Sequence, residues 1–413
     1  MVQHFSIRQW FFIAILIRLM VMPFTLHGDM FFVYKYPHFF SHGEWDIYGM
    51  GEEVPYYPPG SVLFFAFLQL IYSIIFTPFE EFFHTVIYTT TDSMDMDNLF
   101  FSLFLMKLPY LIFDIFLVKT FWRMCADEKS RSKFIVFWAL NPIVIYGTYM
   151  VGHLDITPTF FVVLACYLSL DKKKSHWACL ALAGGALFKV FPILFLPMVI
   201  CISSRNLRDA FRLLLYGTLP ILFLYSIFYL ISGKEVFNIY RVLSYQDFQV
   251  SLNYFNILLR LCQAAVYALV CYYILLLRFR LENLNYVTIS QCFLAVFFAI
   301  YWGHLISSTH RYVWFIPFLI FFVQQHQKWR KAFYLLLLII VLAGLRSRGS
   351  CFGIFGPLNP EFFFSLPSIK DVTWYLIGPQ FDLIIESLYK ILTGIMTILL
   401  LKNLYLKTLT HEK

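Results

Sequence analysis

Long apolar runs recur along almost the whole chain, and they constrain its fold more than any other feature of the sequence. A transmembrane helix needs about 20 mainly apolar residues, and runs of roughly that length follow one another with no polar stretch long enough to form a separate core. Hydrophobic residues make up 60% of the chain and charged residues 14%, a balance that excludes a water-soluble domain of this length. The sequence therefore predicts an all-α, polytopic membrane protein with one membrane-embedded domain over residues 1–413.

The length rule places about twelve spans along the chain. They lie at approximately 9–25, 98–121, 134–151, 156–171, 177–190, 191–203, 210–232, 255–278, 285–303, 311–326, 331–347 and 380–401. The main Lys and Arg clusters then fall in loops on the side of the N-terminus, and the positive-inside rule makes that side cytoplasmic. The net charge of +8 arises largely from basic residues at the ends of spans, where they set the orientation of the chain in the membrane. The charge therefore does not require nucleic acid, and we expect membrane lipids and no nucleic acid as partners.

Two apolar segments need a more specific assignment. If residues 60–76 crossed the bilayer, every later basic cluster would move to the opposite side, so we predict an interfacial or re-entrant helix in the outer leaflet. Residues 177–201 are long for one span and are interrupted at Lys189-Val-Phe-Pro192, so we predict two short spans that meet at the outer face. The first outer loop then covers residues 26–97, and Lys189 lies near the outer surface.

Polar side chains collect on the outer side of this topology. They are His27, Asp29, Asp46, Tyr48, Tyr57, His153, Asp155, Lys189, Lys234, Arg241, His304, His310 and Arg311. Basic residues there run against the positive-inside bias and need a local reason. One reason is a lipid phosphate or pyrophosphate bound by Lys189, His310 and Arg311. The other is pairing of Lys189 and Arg311 with acidic residues such as Asp155, and the sequence leaves both open.

Two carboxylates stand out as candidate site residues. Asp29 follows the first span within a few residues, where a membrane enzyme can hold a general base close to a lipid-borne substrate. The alternative is a solvated loop residue or a helix cap. Asp155, in Gly152-His-Leu-Asp155, could hydrogen-bond sugar hydroxyls or orient a cation, or it could cap the helix that begins near Pro158.

Cysteines and metal-type spacings give no positive signal. The chain has eight cysteines, and on the predicted topology only Cys351 lies in a non-cytoplasmic loop, so we expect no intramolecular disulfide. No Cys/His spacing typical of a metal site is present. We therefore infer no metal and no cofactor, and leave a divalent ion open. Lys107 and Asp114, seven residues apart in the second predicted span, are interpreted as packing residues.

The order of the outer motifs resembles that of the GT-C superfamily of membrane glycosyltransferases, most closely glycosyltransferase family 87 and the polyprenyl-phosphate-mannose-dependent mannosyltransferases. The motifs are His27-Gly-Asp29, Asp46-Ile-Tyr48, Tyr57-Pro-Pro59, Asn141-Pro142, Gly152-His-Leu-Asp155, Lys189-Val-Phe-Pro192 and His310-Arg-Tyr312, followed by Trp314 and Pro317. The resemblance covers about residues 9–320. The chain has Gly-His-Leu-Asp where Gly-Gln-x-Asp is more usual, and it lacks an Asp-x-Asp pair in the first outer loop.

The resemblance implies a GT-C-like helical bundle and an inverting hexosyltransferase, with mannose as the default sugar. The donor would be a polyprenyl-phosphate-linked sugar, and the acceptor a lipid-linked molecule or glycan at the extracytoplasmic face of the plasma membrane, or the luminal face of the endoplasmic reticulum in a eukaryote. Asp29 matches the position of the base. Lys189, His310 and Arg311 match positions that contact the lipid phosphate, while His27, Asp46, Tyr48, Tyr57 and Asp155 are expected to bind substrate.

Two other classes of protein compete with this interpretation. A transporter or flippase of a lipid-linked sugar would also have many spans and polar groups in the outer leaflet, although such proteins more often place ionisable residues in broken helices of paired repeats. No repeat is visible in this sequence. A structural subunit of an envelope complex would not need polar residues gathered on one side.

Overall fold

The computed structural model describes residues 6–50, 57–76, 97–237, 254–280, 284–301, 309–346, 350–378 and 380–409, and these residues form helices and connections without a strand. The α-helices are α1 (Ile7–Val21), α2 (Gly28–Ser41), α3 (Pro59–Ile75), α4 (Leu99–Met124), α5 (Glu128–Ala139), α6 (Pro142–Val144), α7 (Ile156–Ser169), α8 (Ser175–Phe188), α9 (Leu196–Ser203), α10 (Leu207–Ser232), α11 (Tyr254–Arg280), α12 (Tyr286–Tyr301), α13 (Ile316–Gln325), α14 (Arg330–Gly344), α15 (Pro360–Ser365), α16 (Ile369–Ile377) and α17 (Gln380–Leu409). A π-helix covers Ile145–Met150, and 3-10 helices cover Phe191–Phe195, Gly233–Phe237, Thr309–Trp314, Gln327–Trp329 and Phe352–Phe355.

Four helices among the described residues are long and apolar enough to cross a membrane, so the chain is a helical membrane protein. They lie within α4, α10, α11 and α17, and several shorter apolar helices of 10–17 residues pack among them. The helix α3 has 17 residues, fewer than the roughly 20 that a perpendicular crossing needs. Its interfacial or re-entrant position, and the total of twelve spans, stay predictions.

Two helix interruptions lie close to prolines, one inside a predicted span and one between two predicted spans. Residues 134–151 form parts of three helices rather than one, because Pro142 has no N–H to donate and disfavours helical geometry in the residue before it. Asn141 accepts from the backbone N–H of Ile143 and so begins the new helix. The expected interruption after Lys189 is also present, since α8 ends at Phe188 and Pro192 lies in the following 3-10 helix.

A helix also lies at the start of the predicted first outer loop. Interfacial helices were expected in this loop, but only the one at residues 60–76 was placed, and residues 28–41 form α2. Pro37 lies inside this helix, and His27 acts as its N-cap by accepting the backbone N–H of Asp29 at 3.2 Å. Asp29 therefore lies in the first helical turn, where a negative charge is favourable.

Two buried polar networks connect α4 to α1 and to the residues that follow α1. Asp114 of α4 accepts from Arg18 Nε at 2.6 Å, Trp138 Nε1 at 2.6 Å and Tyr149 Oη at 2.5 Å. Lys107 lies in α4 about two turns before Asp114. It donates to the carbonyl oxygens of Met22 and Thr25 and to the Thr25 hydroxyl. The interpretation of Lys107 and Asp114 as packing residues agrees with these contacts.

Candidate functional site

Asp155 is the centre of a buried polar cluster at the start of α7. Its side chain is 1% exposed, and one oxygen, Oδ1, accepts from Lys189 Nζ and from Trp314 Nε1, both at 2.6 Å. The Lys189 ammonium also lies 5.0 Å from the centre of the Trp314 ring. A buried carboxylate needs such compensation, because its desolvation otherwise costs on the order of several kcal/mol. These two donors hold the Asp155 carboxylate in one orientation.

The second oxygen of Asp155 faces two stacked imidazoles. Oδ2 lies 2.7 Å from His153 Nδ1 and 3.6 Å from His310 Nε2. The two rings are nearly parallel, with centroids 3.8 Å apart and an interplanar angle of 18°. Although Oδ2 and His153 Nδ1 are close, neither atom has a hydrogen-bond partner of acceptable geometry among the described residues. Three polar groups therefore converge on one small buried space.

Each histidine has another predicted site residue on its far side. His153 Nε2 lies 2.7 Å from the Tyr57 hydroxyl, which comes from the chain just before α3. His310 Nδ1 lies 3.7 Å from Asp29 Oδ2, which comes from the first turn of α2. His310 thus stands between the two candidate carboxylates, Asp29 and Asp155.

Asp29 is the solvent-accessible member of the cluster. Its side chain is 38% exposed, whereas the Asp155 side chain is 1% exposed. His27 Nδ1 lies 3.6 Å from Asp29 Oδ2 and accepts the backbone N–H of the same residue. The other ring nitrogen of His27, Nε2, lies 3.2 Å from the Ser350 hydroxyl.

Burial and neighbouring charges set the protonation of the buried groups. Burial works against ionisation of Asp155, yet the positive charge of Lys189 holds the pKa of Asp155 well below its usual value. Burial lowers the pKa of His153 despite the carboxylate beside it. It lowers the pKa of His310 further, with His153 as the next contribution. At neutral pH the cluster therefore holds an ionised Asp155 next to two neutral imidazoles.

Two glycines allow the backbone to approach this closely. Gly152 has a φ of +75°, a conformation that side chains rarely tolerate, and the turn it makes places His153 and Asp155 after the π-helix. At Gly147, inside the π-helix, an added Cβ would lie 2.8 Å from the Cα of His310. The π-helix and the 3-10 helix that carries His310 are therefore in backbone contact, and π-helices frequently occur at functional sites.

The structure brings six of the nine predicted site residues into one cluster, which Tyr57 joins through His153. They are His27, Asp29, Tyr57, Asp155, Lys189 and His310. The pairing of Lys189 with Asp155 is the alternative to phosphate binding that the sequence left open. Arg311 is half-buried, and its positive charge acts on the Tyr57 hydroxyl and on His310.

The other two predicted residues lie outside the cluster. Tyr48 is buried against Phe228 and donates to the backbone oxygen of Tyr57 at 2.8 Å, so it supports the cluster from behind. Asp46 is exposed and accepts from the backbone N–H of Gly49, which is a turn contact. Neither contact gives these side chains a direct position next to Asp29 or Asp155.

Sequence reasoning missed the contribution of the segment that begins at Ser350. Leu26 donates its backbone N–H to the carbonyl oxygen of Ile354 at 2.8 Å, and Tyr146 donates its hydroxyl to the carbonyl oxygen of Ser350 at 2.6 Å. Together with the contact to His27, these bonds pack residues 350–354 over the edge of the cluster. No local pattern in that segment marks it, because the contacts join residues more than 200 positions apart.

Comparison with known proteins adds no family assignment. No protein-family model matches the chain, and no curated protein is significantly similar to it in sequence.

Proposed function

We propose that the chain is a membrane glycosyltransferase of the GT-C type, with Asp29 as its general base. It would transfer a hexose, with mannose as the first candidate, from a polyprenyl-phosphate donor to a lipid-linked or glycan acceptor at the extracytoplasmic or luminal face. The observation that carries the proposal is the arrangement of two carboxylates around His310, in which Asp29 is partly exposed and Asp155 is buried and paired. A partly exposed carboxylate is available to a substrate, while a paired one is not.

The position of Asp29 suits a general base, because the helix α2 fixes the residue and no described Lys or Arg neutralises its carboxylate. It lies at the N-terminus of α2, within reach of two imidazoles, and no cation of a described Lys or Arg forms a salt bridge with it. A carboxylate that was already neutralised by such a cation would be a weaker proton acceptor. His310 adjoins both Asp29 and Asp155, so its ring can orient the base.

The reaction balances with the residues of this chain. The acceptor hydroxyl gives its proton to the Asp29 carboxylate, and its oxygen forms a bond to the anomeric carbon of the sugar. The bond from that carbon to the phosphate oxygen breaks, and the polyprenyl phosphate leaves with the electron pair. Attack opposite the leaving group inverts the anomeric centre. The enzyme must mainly stabilise the departing anion and remove one proton.

Charge for the departing phosphate has two sources near the site. Arg311 follows His310 and lies close enough for its charge to act on Tyr57. Lys189 is bound to Asp155, and its side chain is 13% exposed, so in this arrangement its charge supports Asp155 first. We therefore assign Lys189 the support of the buried centre, and we propose the phosphate contact of Arg311 from the resemblance to known glycosyltransferases.

The helix α3 offers an apolar wall for the prenyl chain. One face packs against the protein through Val62, Phe65, Ala66 and Tyr72. The opposite face exposes Phe67, Leu70, Ile74 and Ile75, with 48–83% of each side chain accessible. The chain that begins α3 carries Tyr57, which contacts His153. A prenyl tail that lies along this face would therefore bring its phosphate towards the polar cluster.

Asp29→Asn in proteoliposomes supplied with a polyprenyl-phosphate sugar and a mixed glycolipid acceptor tests the proposal. Loss of a general base lowers the rate by about 10² to 10⁴, so transfer should fall by at least about 100-fold. Asp46→Asn is the matched control, because Asp46 is an exposed carboxylate that makes only a turn contact. Transfer by Asp29→Asn at more than half the wild-type rate would refute the assignment of the base.

A transporter or flippase of a lipid-linked sugar is the competing function. Its expected signature would be ionisable residues inside the membrane that exchange partners during transport. The buried ionisable residues Arg18, Lys107 and Asp114 are each held by several hydrogen bonds, which favours a fixed scaffold. Movement of labelled lipid between leaflets without any new glycosidic product would favour the transporter.

A further inference from the structure

The space between His153, Asp155 and His310 is built like a metal site. Each residue offers one ligand atom, these atoms all lie within 4.8 Å of one another, and all three residues are buried. Two nitrogens of imidazole and one oxygen of carboxylate form a donor set that suits divalent transition metals, including Zn²⁺ and Fe²⁺. The resemblance to known glycosyltransferases does not imply a metal at these residues.

Hydrogen bonding leaves two of the converging atoms without a partner among the described residues. Asp155 Oδ1 already accepts from Lys189 and Trp314, so the free capacity of the carboxylate lies at Oδ2. Oδ2 and His153 Nδ1 are both buried without a well-oriented hydrogen-bond partner among the described residues. A buried pair of lone-pair donors this close is unfavourable unless a proton or a metal ion lies between them.

The outer contacts of the two imidazoles fit the same interpretation. Histidines that bind a metal usually donate the N–H of the other ring nitrogen to a carboxylate, a carbonyl or another acceptor. His153 has the Tyr57 hydroxyl at 2.7 Å from Nε2, and His310 has Asp29 Oδ2 at 3.7 Å from Nδ1. Protons on those far nitrogens would leave Nδ1 of His153 and Nε2 of His310 as the lone pairs that face Asp155.

The two distances from Asp155 Oδ2 are compatible with one ion. With metal–ligand bonds of about 2.1 Å, ligand atoms 2.7 Å and 3.6 Å apart make angles of roughly 80° and 118° at the ion by simple triangle geometry. The lone pair of an imidazole nitrogen lies in the plane of its ring, so one of the two stacked rings has to turn for both to bind the same ion. Three protein ligands would leave at least one position open for water or substrate, as in catalytic sites.

We propose that His153, Asp155 and His310 bind one divalent transition-metal ion. Lys189 and Trp314 fix the carboxylate through its other oxygen, and the negative charge of Asp29 lies beyond His310 and offsets part of the charge of the ion. Mg²⁺ and Ca²⁺ would bind poorly, because they prefer sites made of oxygen atoms. The proposal does not rest on the glycosyltransferase function, since metal binding is measured directly.

The test is metal binding by the full chain, purified in detergent with an affinity tag that contains no histidine. The protein is incubated with Zn²⁺, desalted and analysed for bound metal, and the experiment is repeated with Co²⁺ and with Mg²⁺. We expect about one Zn²⁺ per chain, less than about a tenth of that for Mg²⁺, and a rise in the unfolding temperature with Zn²⁺, because an ion that binds the folded state stabilises it.

A second pair of neighbouring histidines provides a control. His38 lies in the last turn of α2 and His42 is the C-cap of that helix, and their ring centroids are 4.2 Å apart. The double variant His153→Gln/His310→Gln should lose at least about 90% of the bound Zn²⁺, since loss of ligands removes most of the affinity. His38→Gln/His42→Gln should retain it.

Spectroscopy on the wild-type protein keeps the proposal testable if the double variant does not fold. X-ray absorption should show nitrogen and oxygen ligands with two imidazoles and no sulfur. Wild-type protein that retains no Zn²⁺ after desalting would overturn the proposal, because the space then holds a proton. Zn²⁺ bound through sulfur would also overturn it, because the ion would then lie at the cysteines.

Discussion

Replacing Asp114 tests whether the buried network in α4 holds the folded bundle together. The carboxylate accepts hydrogen bonds from Arg18, Trp138 and Tyr149, and the side chains of Arg18 and Asp114 are only 3% and 4% exposed. Asp114→Asn keeps the size of the side chain but removes the charge that compensates the guanidinium. Removing one partner of a buried ion pair costs about 3–5 kcal/mol, so we expect a loss of that size.

The assay is reversible unfolding in mixed detergent micelles, followed by helicity, for a complete double-mutant cycle. The single variants Asp114→Asn and Arg18→Met should each be strongly destabilised. The double variant should be less destabilised than the sum of the two, with a coupling free energy of at least about 2 kcal/mol, which is within the range for residues in one network. Asp171→Asn is the control, because Asp171 pairs with Lys174 on the exposed surface and should show no measurable change.

Additive effects in this cycle would refute the reasoning. If Asp114→Asn lowered the free energy of unfolding by less than about 1 kcal/mol, the value typical of exposed pairs, the network would contribute no more than a surface ion pair. Either result would mean that water or lipid headgroups reach Arg18 in the folded protein and replace the carboxylate.

Three further predictions concern the residues that build the cluster. Lys189→Met should lower the free energy of unfolding by about 3–5 kcal/mol by the same loss of a buried partner, and Lys189→Arg should recover part of it; equal stability of the two variants in the micelle assay would contradict the pairing with Asp155. Gly147→Ala should displace the helix that carries His310, since the new Cβ would lie 2.8 Å from its Cα, and should cost about 1–3 kcal/mol together with most of the transfer activity. Gly184→Ala meets only the Phe161 side chain at 3.3 Å and should keep most of both. Asp46→Cys should react with a membrane-impermeant maleimide in intact cells while Lys173→Cys should not, and the reverse pattern would place the cluster on the cytoplasmic side.

The sequence was sufficient for the class of protein and for the membership of most of the cluster. Apolar runs determine a helical membrane protein because the backbone in lipid must satisfy its own hydrogen bonds. The charge asymmetry between loops predicted which polar residues share one side, and His27, Asp29, Tyr57, Asp155, Lys189 and His310 do lie together. The break after Lys189 was visible because proline interrupts helices in a way that depends only on local sequence.

Only the tertiary structure shows which of these side chains contact each other. Lys189 could have bound a phosphate or a carboxylate as far as the sequence showed, and its contact with Asp155 depends on how α8 packs against α7. The stacking of His153 on His310 joins residues 157 positions apart, and the contact of Ser350 with His27 joins residues 323 positions apart. Helical periodicity carries no information at such separations, because it reports only on neighbours within a few turns.

The sequence by itself therefore determined that the chain folds in a membrane. It also predicted the side of the membrane on which the polar residues gather. Hydrophobic composition and loop charge are sums over many residues, so both can be obtained from the sequence without knowledge of any single contact. The tertiary structure decided that Asp155 is buried and bound by Lys189, that Asp29 remains accessible, and that two imidazoles face one carboxylate oxygen. Those distinctions depend on distances of a few ångströms between separate helices, which only packing sets.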